Sequence, residues 1–139
     1  MIELGAEMRE RLAAAMDEGV PIVLASVDDG GAPHLSFYGS THVHSADQLA
    51  VWVRDPAGGL LQRIRTNPNV ALMYRNPAAR LAWQFTGRAR PVDDPDEARR
   101  VYDESPEIER GRDPERLGRA VVVDVDRVRG RDLMMVRDP

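Results

Sequence analysis

Short apolar runs that each end in turn-forming residues are the feature of this sequence that most limits its fold. One run covers residues 22–27 and ends at Asp28-Asp29-Gly30-Gly31, whose residues tolerate the positive φ of a hairpin turn. Other runs end at Asp55-Pro56 and at Asn76-Pro77. Consecutive strands joined by tight turns lie antiparallel, whereas a doubly wound parallel sheet needs strands and helices in strict alternation. The pattern therefore predicts a mainly β, antiparallel fold.

Six strands are predicted, at about residues 22–27, 34–44, 49–53, 70–74, 81–92 and 120–125. The second has the most regular period of two. Its alternation predicts one face with Leu35, Phe37, Gly39, Thr41 and Val43, and an opposite face with His34, Ser36, Tyr38, Ser40, His42 and His44. We expect His44, next to a turn at residues 45–47, to lie at an exposed hairpin end.

Helical patterns surround these strands. Residues 2–17 show helical spacing of apolar side chains. A short helix is predicted at residues 60–66, and Asn67-Pro68 must end it. Asp94-Pro95 starts a further helix that reaches about residue 104, and residues 105–118 read as a charged loop with one helical turn. Residues 1–139 are therefore predicted to form one domain, a six-stranded antiparallel barrel with peripheral helices.

Composition excludes several classes of chemistry. The absence of cysteine excludes disulfides, thiolate zinc sites, a thiol nucleophile and iron–sulfur clusters, so any redox chemistry needs a bound cofactor. All 19 basic residues are arginine, which excludes a lysine base or P-loop but supplies many guanidinium groups for phosphate or carboxylate. The net charge of −4 argues against nucleic acid as a partner.

No apolar run approaches the roughly 20 residues that a membrane span needs, and residues 1–19 carry too many charges for a signal peptide. We therefore expect a cytoplasmic protein that does not bind a membrane.

The segment from Val53 to Leu60 is a candidate anion site. Gly58 and Gly59 at a helix start allow close approach to the backbone, the first helical N–H groups lack partners, and Arg54 supplies a positive charge. The alternative is that the glycines form only a turn and that Arg54 is a solvated charge.

The three histidines raise the question of a metal, because imidazole is a common ligand. No acidic residue completes an obvious ligand set with His42 and His44, so we expect no metal. The polar face of the same strand could instead line a cofactor cleft, with Ser36 and Tyr38 as hydrogen-bonding groups, or it could be an ordinary solvated face.

Two motifs carry a resemblance to a known family. Asn67-Pro68-Asn69-Val70-Ala71-Leu72 resembles an N-P-x-V-x-L strand entry, and Phe85-Thr86-Gly87-Arg88-Ala89 resembles an F-x-G-x-A strand. With the order of the elements, they resemble the pyridoxamine 5′-phosphate oxidase-like family of FMN-binding split β-barrel flavoproteins, which includes deazaflavin-dependent branches.

The resemblance implies a homodimer with a cofactor in the cleft between two barrels. It implies cofactor-binding positions at Val53, Arg54, Gly58, Gly59 and Leu60. Gln84 is a further candidate, because it shares a strand face with the position at which some members place a ring-contacting glutamine.

The basic residues that many members place near Gly59-Leu60 are absent, and Arg54 stands where a serine or threonine is common. Arg54 could take over the phosphate with Arg63 or Arg65, the cofactor could be a deazaflavin coenzyme instead of FMN, or no cofactor is retained.

The resemblance thus implies an oxidoreductase that uses FMN or a deazaflavin to act on a small organic molecule. No catalytic side chain is assigned, since the cofactor would carry the chemistry. The alternative is a non-catalytic dimer that binds or sequesters a flavin or, as a less favoured ligand, haem.

Overall fold

The computed structural model describes all 139 residues. The helices and strands follow one another along the chain as α1 (Ala6–Ala14), β1 (Val23–Val27), β2 (Pro33–Phe37), β3 (His42–Ser45), β4 (Gln48–Val53), α2 (Leu60–Thr66), β5 (Asn69–Asn76), β6 (Leu81–Pro91), α3 (Pro95–Glu104), α4 (Glu107–Gly111), β7 (Arg119–Gly130) and β8 (Met134–Val136). No helix is long and apolar enough to cross a membrane.

The strands form one antiparallel sheet in the order β2-β1-β5-β6-β7-β4-β3, and β8 pairs with β7. Strands β2 and β3 lie at the two ends of this order and do not pair with each other. The predicted fold class, a mainly β antiparallel structure with peripheral helices, is confirmed. The predicted number of six strands is wrong, because the sheet has eight.

One of the two extra strands arises because residues 34–44 do not form a single strand. The chain turns after Phe37, where the amide of Thr41 donates to the carbonyl oxygen of Tyr38 at 3.2 Å. The hydroxyl of Ser40 then bonds the backbone N–H and C=O of Trp52, both at 2.9 Å. Alternation of residue types therefore continues through a turn that sends β2 and β3 to opposite ends of the sheet.

The second extra strand is β8, whose three residues pair with the far end of β7. β7 continues to Gly130, beyond the apolar run at residues 120–125 that predicted it. A strand of three residues is too short to show a period of two in the sequence. β8 is a strand only because it pairs with β7.

The inward faces of the strands meet in one core of 24 buried residues, to which α1 and α2 also contribute. β6 and β7 shift register between Thr86 and Gly87, with Asp126 as the extra residue on β7. A Cβ at Gly87 would collide with the carbonyl oxygen of Asp124. Glycine is therefore needed where the bulge brings the two backbones together.

A smaller apolar cluster lies between α3 and the outer face of β4 and β7. α3 begins as predicted, since the side chain of Asp94 accepts a hydrogen bond from the amide of Glu97 at 3.2 Å. The single helical turn predicted within residues 105–118 is α4.

His44 is not at an exposed hairpin end, because its side chain is buried. Its Nε2 lies 3.1 Å from Oε2 of Glu97 on α3, and His42 is also buried, with Nδ1 2.7 Å from the carbonyl oxygen of Ser40. The prediction failed because it treated the strand end as a free edge, whereas α3 packs over this side of the sheet.

Candidate functional site

A cleft with a volume of about 720 Å³ lies where the end of β4 meets the turn after β2 and the short helix α4. Six of the residues predicted to bind a cofactor line it. They are Ser36, Tyr38, Val53, Arg54, Gly58 and Leu60. They come from segments up to 24 positions apart, since the first is residue 36 and the last is residue 60.

The end of β4 and the loop after it build one wall of this cleft. Val53 is buried in the main core and therefore fixes the point at which Arg54 leaves the sheet. Asp55 organises the loop, because its side chain accepts from the amide of Ala57 at 3.0 Å and its carbonyl oxygen from the amide of Gly58 at 3.1 Å. Gly59 has a φ of +100°, which favours glycine at the entry to α2.

Three charged side chains meet at the α4 side of the cleft. Nε of Arg54 lies 3.5 Å from Oε2 of Glu109, and Nη1 of Arg112 lies 3.2 Å from Oε1 of the same carboxylate. The Glu109 side chain is only 6% exposed, whereas those of Arg54 and Arg112 are 49% and 41% exposed. A buried carboxylate is thus held between two half-exposed guanidinium groups.

Asp113 lies behind the cleft and holds Trp52, one of its lining residues. Its carboxylate accepts hydrogen bonds from Nε1 of Trp52 at 2.8 Å and from the amides of Leu117 and Gly118, each at 2.9 Å. Burial raises the pKa of the Asp113 carboxyl, but these hydrogen bonds and the charge of Arg54 outweigh burial, so its pKa lies below the ordinary value. Asp113 is therefore ionised at neutral pH.

Residues 36–38 form the opposite rim. Phe37 is 71% exposed there, whereas Tyr38 is partly buried. Burial raises the pKa of the Tyr38 hydroxyl, although the positive charge of Arg63 opposes the shift. Tyr38 therefore offers a neutral hydroxyl, which can donate or accept a hydrogen bond at physiological pH.

Two predicted cofactor residues do not line this cleft. Gly59 lies in a neighbouring polar cavity of about 250 Å³ with Asp28 and Arg63, whose Nε donates to the hydroxyl of Ser26 at 2.8 Å. Gln84 lies in an apolar groove on the outside of the sheet, beside Leu35 and Met73. Their roles in cofactor binding stay predictions.

The supporting basic residue in the cleft is Arg112, and neither Arg63 nor Arg65 lines it. Sequence reasoning missed Arg112 and Glu109 because it predicted a charged loop with one helical turn at residues 105–118 and assigned it no place beside the cleft. Their spacing of i and i+3 on a helical turn is the one available signal, since it allows a local ion pair. The spacing does not predict that this turn packs beside the end of β4.

The histidines do not form a metal site with acidic neighbours. No three histidine and carboxylate side chains converge. His34 instead pairs with Asp28 across the first hairpin, with 2.9 Å between Nε2 and Oδ2.

The family model for pyridoxamine 5′-phosphate oxidase matches residues 8–132. The mainly β antiparallel fold agrees with this match, which covers most of the chain. The chain belongs to the pyridoxamine 5′-phosphate oxidase family, as the resemblance of its motifs predicted. No curated protein matches the sequence closely.

Solved structures share the same fold. General Stress Protein 26 of Bacillus anthracis str. Sterne has 17% identity and a TM-score of 0.68, over 95% of this chain and 100% of that one. HupZ of Group A Streptococcus has 14% identity and a TM-score of 0.67, over 96% and 99%. An FMN-binding protein from Syntrophomonas wolfei subsp. wolfei has 10% identity and a TM-score of 0.66, over 93% and 89%.

Proposed function

We propose that this protein is an oxidoreductase that binds a flavin-type cofactor, FMN or a deazaflavin coenzyme, in the Arg54 cleft and acts on a small organic molecule in the cytoplasm. The observation that carries this proposal is the convergence, in a chain of this family, of six predicted cofactor residues on one cleft with two guanidinium groups at one end.

The lining residues fit a planar cofactor with a polar end. Arg54 and Arg112 would bind an anionic group, since guanidinium groups bond phosphate oxygens in a fork geometry. Phe37, which is 71% exposed, offers apolar surface for a ring system, and Tyr38 offers a hydroxyl. When bound, the cofactor would supply hydride transfer, and the chain's own residues would orient it and limit the access of water.

A homodimer is part of this proposal. β2 is an edge strand with all five residues exposed, and Leu35 and Phe37 are 70% and 71% exposed. A monomer rarely leaves large neighbouring apolar side chains open to water. Because Phe37 also lines the cleft, the apolar face is continuous with the candidate site. A second copy of this chain on that face would help to enclose a bound cofactor.

Light scattering tests the dimer with a matched pair of variants. Leu35→Ser should shift the protein towards monomer, whereas Leu117→Ser, which changes an equally exposed leucine outside β2, should not. A wild-type monomer at micromolar concentration, or equal behaviour of the two variants, would contradict this part of the proposal.

Absorbance titration tests cofactor binding. The wild type is titrated separately with FMN, a deazaflavin coenzyme and haem, and Arg54→Ala is compared with Arg65→Ala, which removes an exposed arginine from α2. Saturable binding of one flavin or deazaflavin per chain is expected, with at least tenfold weaker binding in Arg54→Ala alone. Equal affinity in the two variants would refute the role of Arg54, and no binding of any flavin would refute the proposed function.

A second candidate is a non-catalytic binder or sequestering dimer. It is favoured by the pairing of both cleft arginines with Glu109, which leaves neither guanidinium without an anion. Repeated turnover with a reduced cofactor and a panel of acceptors separates the two functions, because a sequestering protein binds without turning over.

A further inference from the structure

We propose that Glu109 is a built-in competitor for the anion subsite of the cleft: its carboxylate occupies the position between Arg54 and Arg112 and disfavours ligands that carry a phosphate. This inference rests on the proposed role of the cleft in binding a cofactor and identifies a residue that sets its specificity.

The contacts of Glu109 carry the argument. Its two oxygens engage different arginines, Oε2 with Arg54 at 3.5 Å and Oε1 with Arg112 at 3.2 Å. A phosphate bridging the same guanidinium groups would need the volume that the carboxylate fills. The carboxylate is almost fully buried, so the chain holds this anion in place instead of leaving it in solvent.

The backbone opposite is shaped to accept the carboxylate. A Cβ at Gly39 would collide with Oε1 of Glu109 and would lie 2.8 Å from the sulfur of Met16. Glycine at position 39 therefore leaves the space that the carboxylate of Glu109 occupies.

The charges of the residues that line the cleft also disfavour a bound phosphate. Arg54 and Arg112 contribute two positive charges, and Asp55 and Glu109 contribute two negative charges. A phosphate monoester adds about −1.5 to −2 at neutral pH. With Glu109 in place, two anions would compete for the same arginines and would repel each other at short range.

A ligand with an uncharged polar end avoids this competition. Riboflavin and FMN share the ring system and differ in the phosphate, so they isolate the effect. The phosphate of FMN is expected to add less affinity in the wild type than in a variant without the charge of Glu109. Removing that charge is expected to increase the gain.

The test uses Glu109→Gln, with Glu107→Gln as the matched control. Glu107 lies on the same helix, is exposed, and changes the net charge equally. Calorimetric titration with inorganic phosphate should show at least tenfold tighter binding in Glu109→Gln than in the wild type and no change in Glu107→Gln. FMN should follow phosphate, whereas the affinity for riboflavin should stay within twofold.

The double variant Arg54→Ala/Glu109→Gln should lose the gain, because the released guanidinium is the expected anion partner. If Glu109→Gln does not fold, as judged by circular dichroism, Glu109→Ala replaces it in the same titrations. Unchanged or weaker phosphate binding in the folded variant overturns the inference.

The same experiment separates this inference from the proposed function. Tighter phosphate binding without flavin binding in any variant would leave the anion subsite intact and refute the flavin role. Flavin binding by the wild type with no effect of Glu109→Gln on phosphate or FMN would do the reverse.

Discussion

Replacement of Asp113 by alanine should be among the most destabilising changes of a charged residue in this protein. The Asp113 carboxylate is the shared acceptor for the indole N–H of Trp52 and for the amides of Leu117 and Gly118. Asp113→Ala removes all three hydrogen bonds at once. One of them joins the segment after α4 to Trp52 of β4, next to the cleft.

The magnitude follows from the burial of each donor. Trp52 is 7% exposed, so its indole N–H would lose its partner in a largely dry setting, at a cost of about 2 kcal/mol. Water can reach the chain at the exposed Leu117, and the two amide bonds contribute about 1 kcal/mol each. Together they predict a loss of about 4 kcal/mol, a large part of the 5–15 kcal/mol typical of native proteins.

Urea unfolding followed by tryptophan fluorescence measures this loss, and Asp132→Ala at an exposed site is the control. The control should change the free energy of unfolding by no more than about 0.5 kcal/mol. The thermal midpoint of Asp113→Ala should fall by about 12–16 °C, from roughly 3–4 °C per kcal/mol at this chain length. A loss below about 1 kcal/mol would refute the reasoning, because the indole would then have found another acceptor.

Three further predictions concern stability. The pKa of Asp113 is lower in the folded than in the unfolded state, so the stabilisation from its carboxylate is complete above the unfolded-state pKa and is lost as the pH falls through the folded-state pKa. The difference in unfolding free energy between the wild type and Asp113→Ala should therefore be smaller at pH 3 than at pH 7. A constant difference would contradict the lowered pKa of Asp113. Gly118→Ala should lower the free energy of unfolding by about 1–3 kcal/mol, because a Cβ would collide with the carbonyl oxygen of Val53 and lie 2.7 Å from Nε1 of Trp52. The control Gly111→Ala should be nearly neutral in the same urea titration, because a Cβ at position 111 meets no atom within 4 Å. Asp94→Ala removes the N-cap of α3 and should cost about 1 kcal/mol, more than Asp96→Ala on the same helix; equal midpoints in thermal unfolding would show that the cap bond is not stabilising.

Local sequence signals were strongest where an element carries its own boundaries. The turn at residues 28–31 predicted the hairpin of β1 and β2, where the Asp28 side chain accepts from the amides of Gly30 and Ala32. The cap at Asp94 likewise predicted the start of α3. In both cases the stabilising bonds join residues within four positions, so the sequence contains both partners.

Long-range contacts produced the errors. Residues 34–44 alternate like one strand, yet the chain turns within them, and the hydroxyl of Ser40 forms hydrogen bonds with the backbone of Trp52. His44 resembled a loop residue until α3 was placed over it, with Glu97 as its partner. The alternation of apolar and polar residues predicts which face of a strand is buried, but it does not predict which element covers that face. It therefore could not identify Trp52 or Glu97 as partners.

Local signals predicted some residues of the candidate site, and long-range contacts brought in the others. Arg54 and Gly58 could be selected from their place after a strand and before a helix, and the family motifs agreed with that choice. Glu109 and Arg112 could not, because their segment is mostly charged and its charges resemble those of a solvated turn.

The sequence by itself determined the antiparallel class, the family and the loop that carries Arg54, since periodicity, turn chemistry and motifs are local properties of the chain. Only the tertiary structure decided which charges face that loop. The ion group of Arg54, Glu109 and Arg112 joins residues 55 positions apart, from 54 to 109. Its electrostatics depend on burial and on distances of 3–4 Å, which arise only when α4 packs against the end of β4.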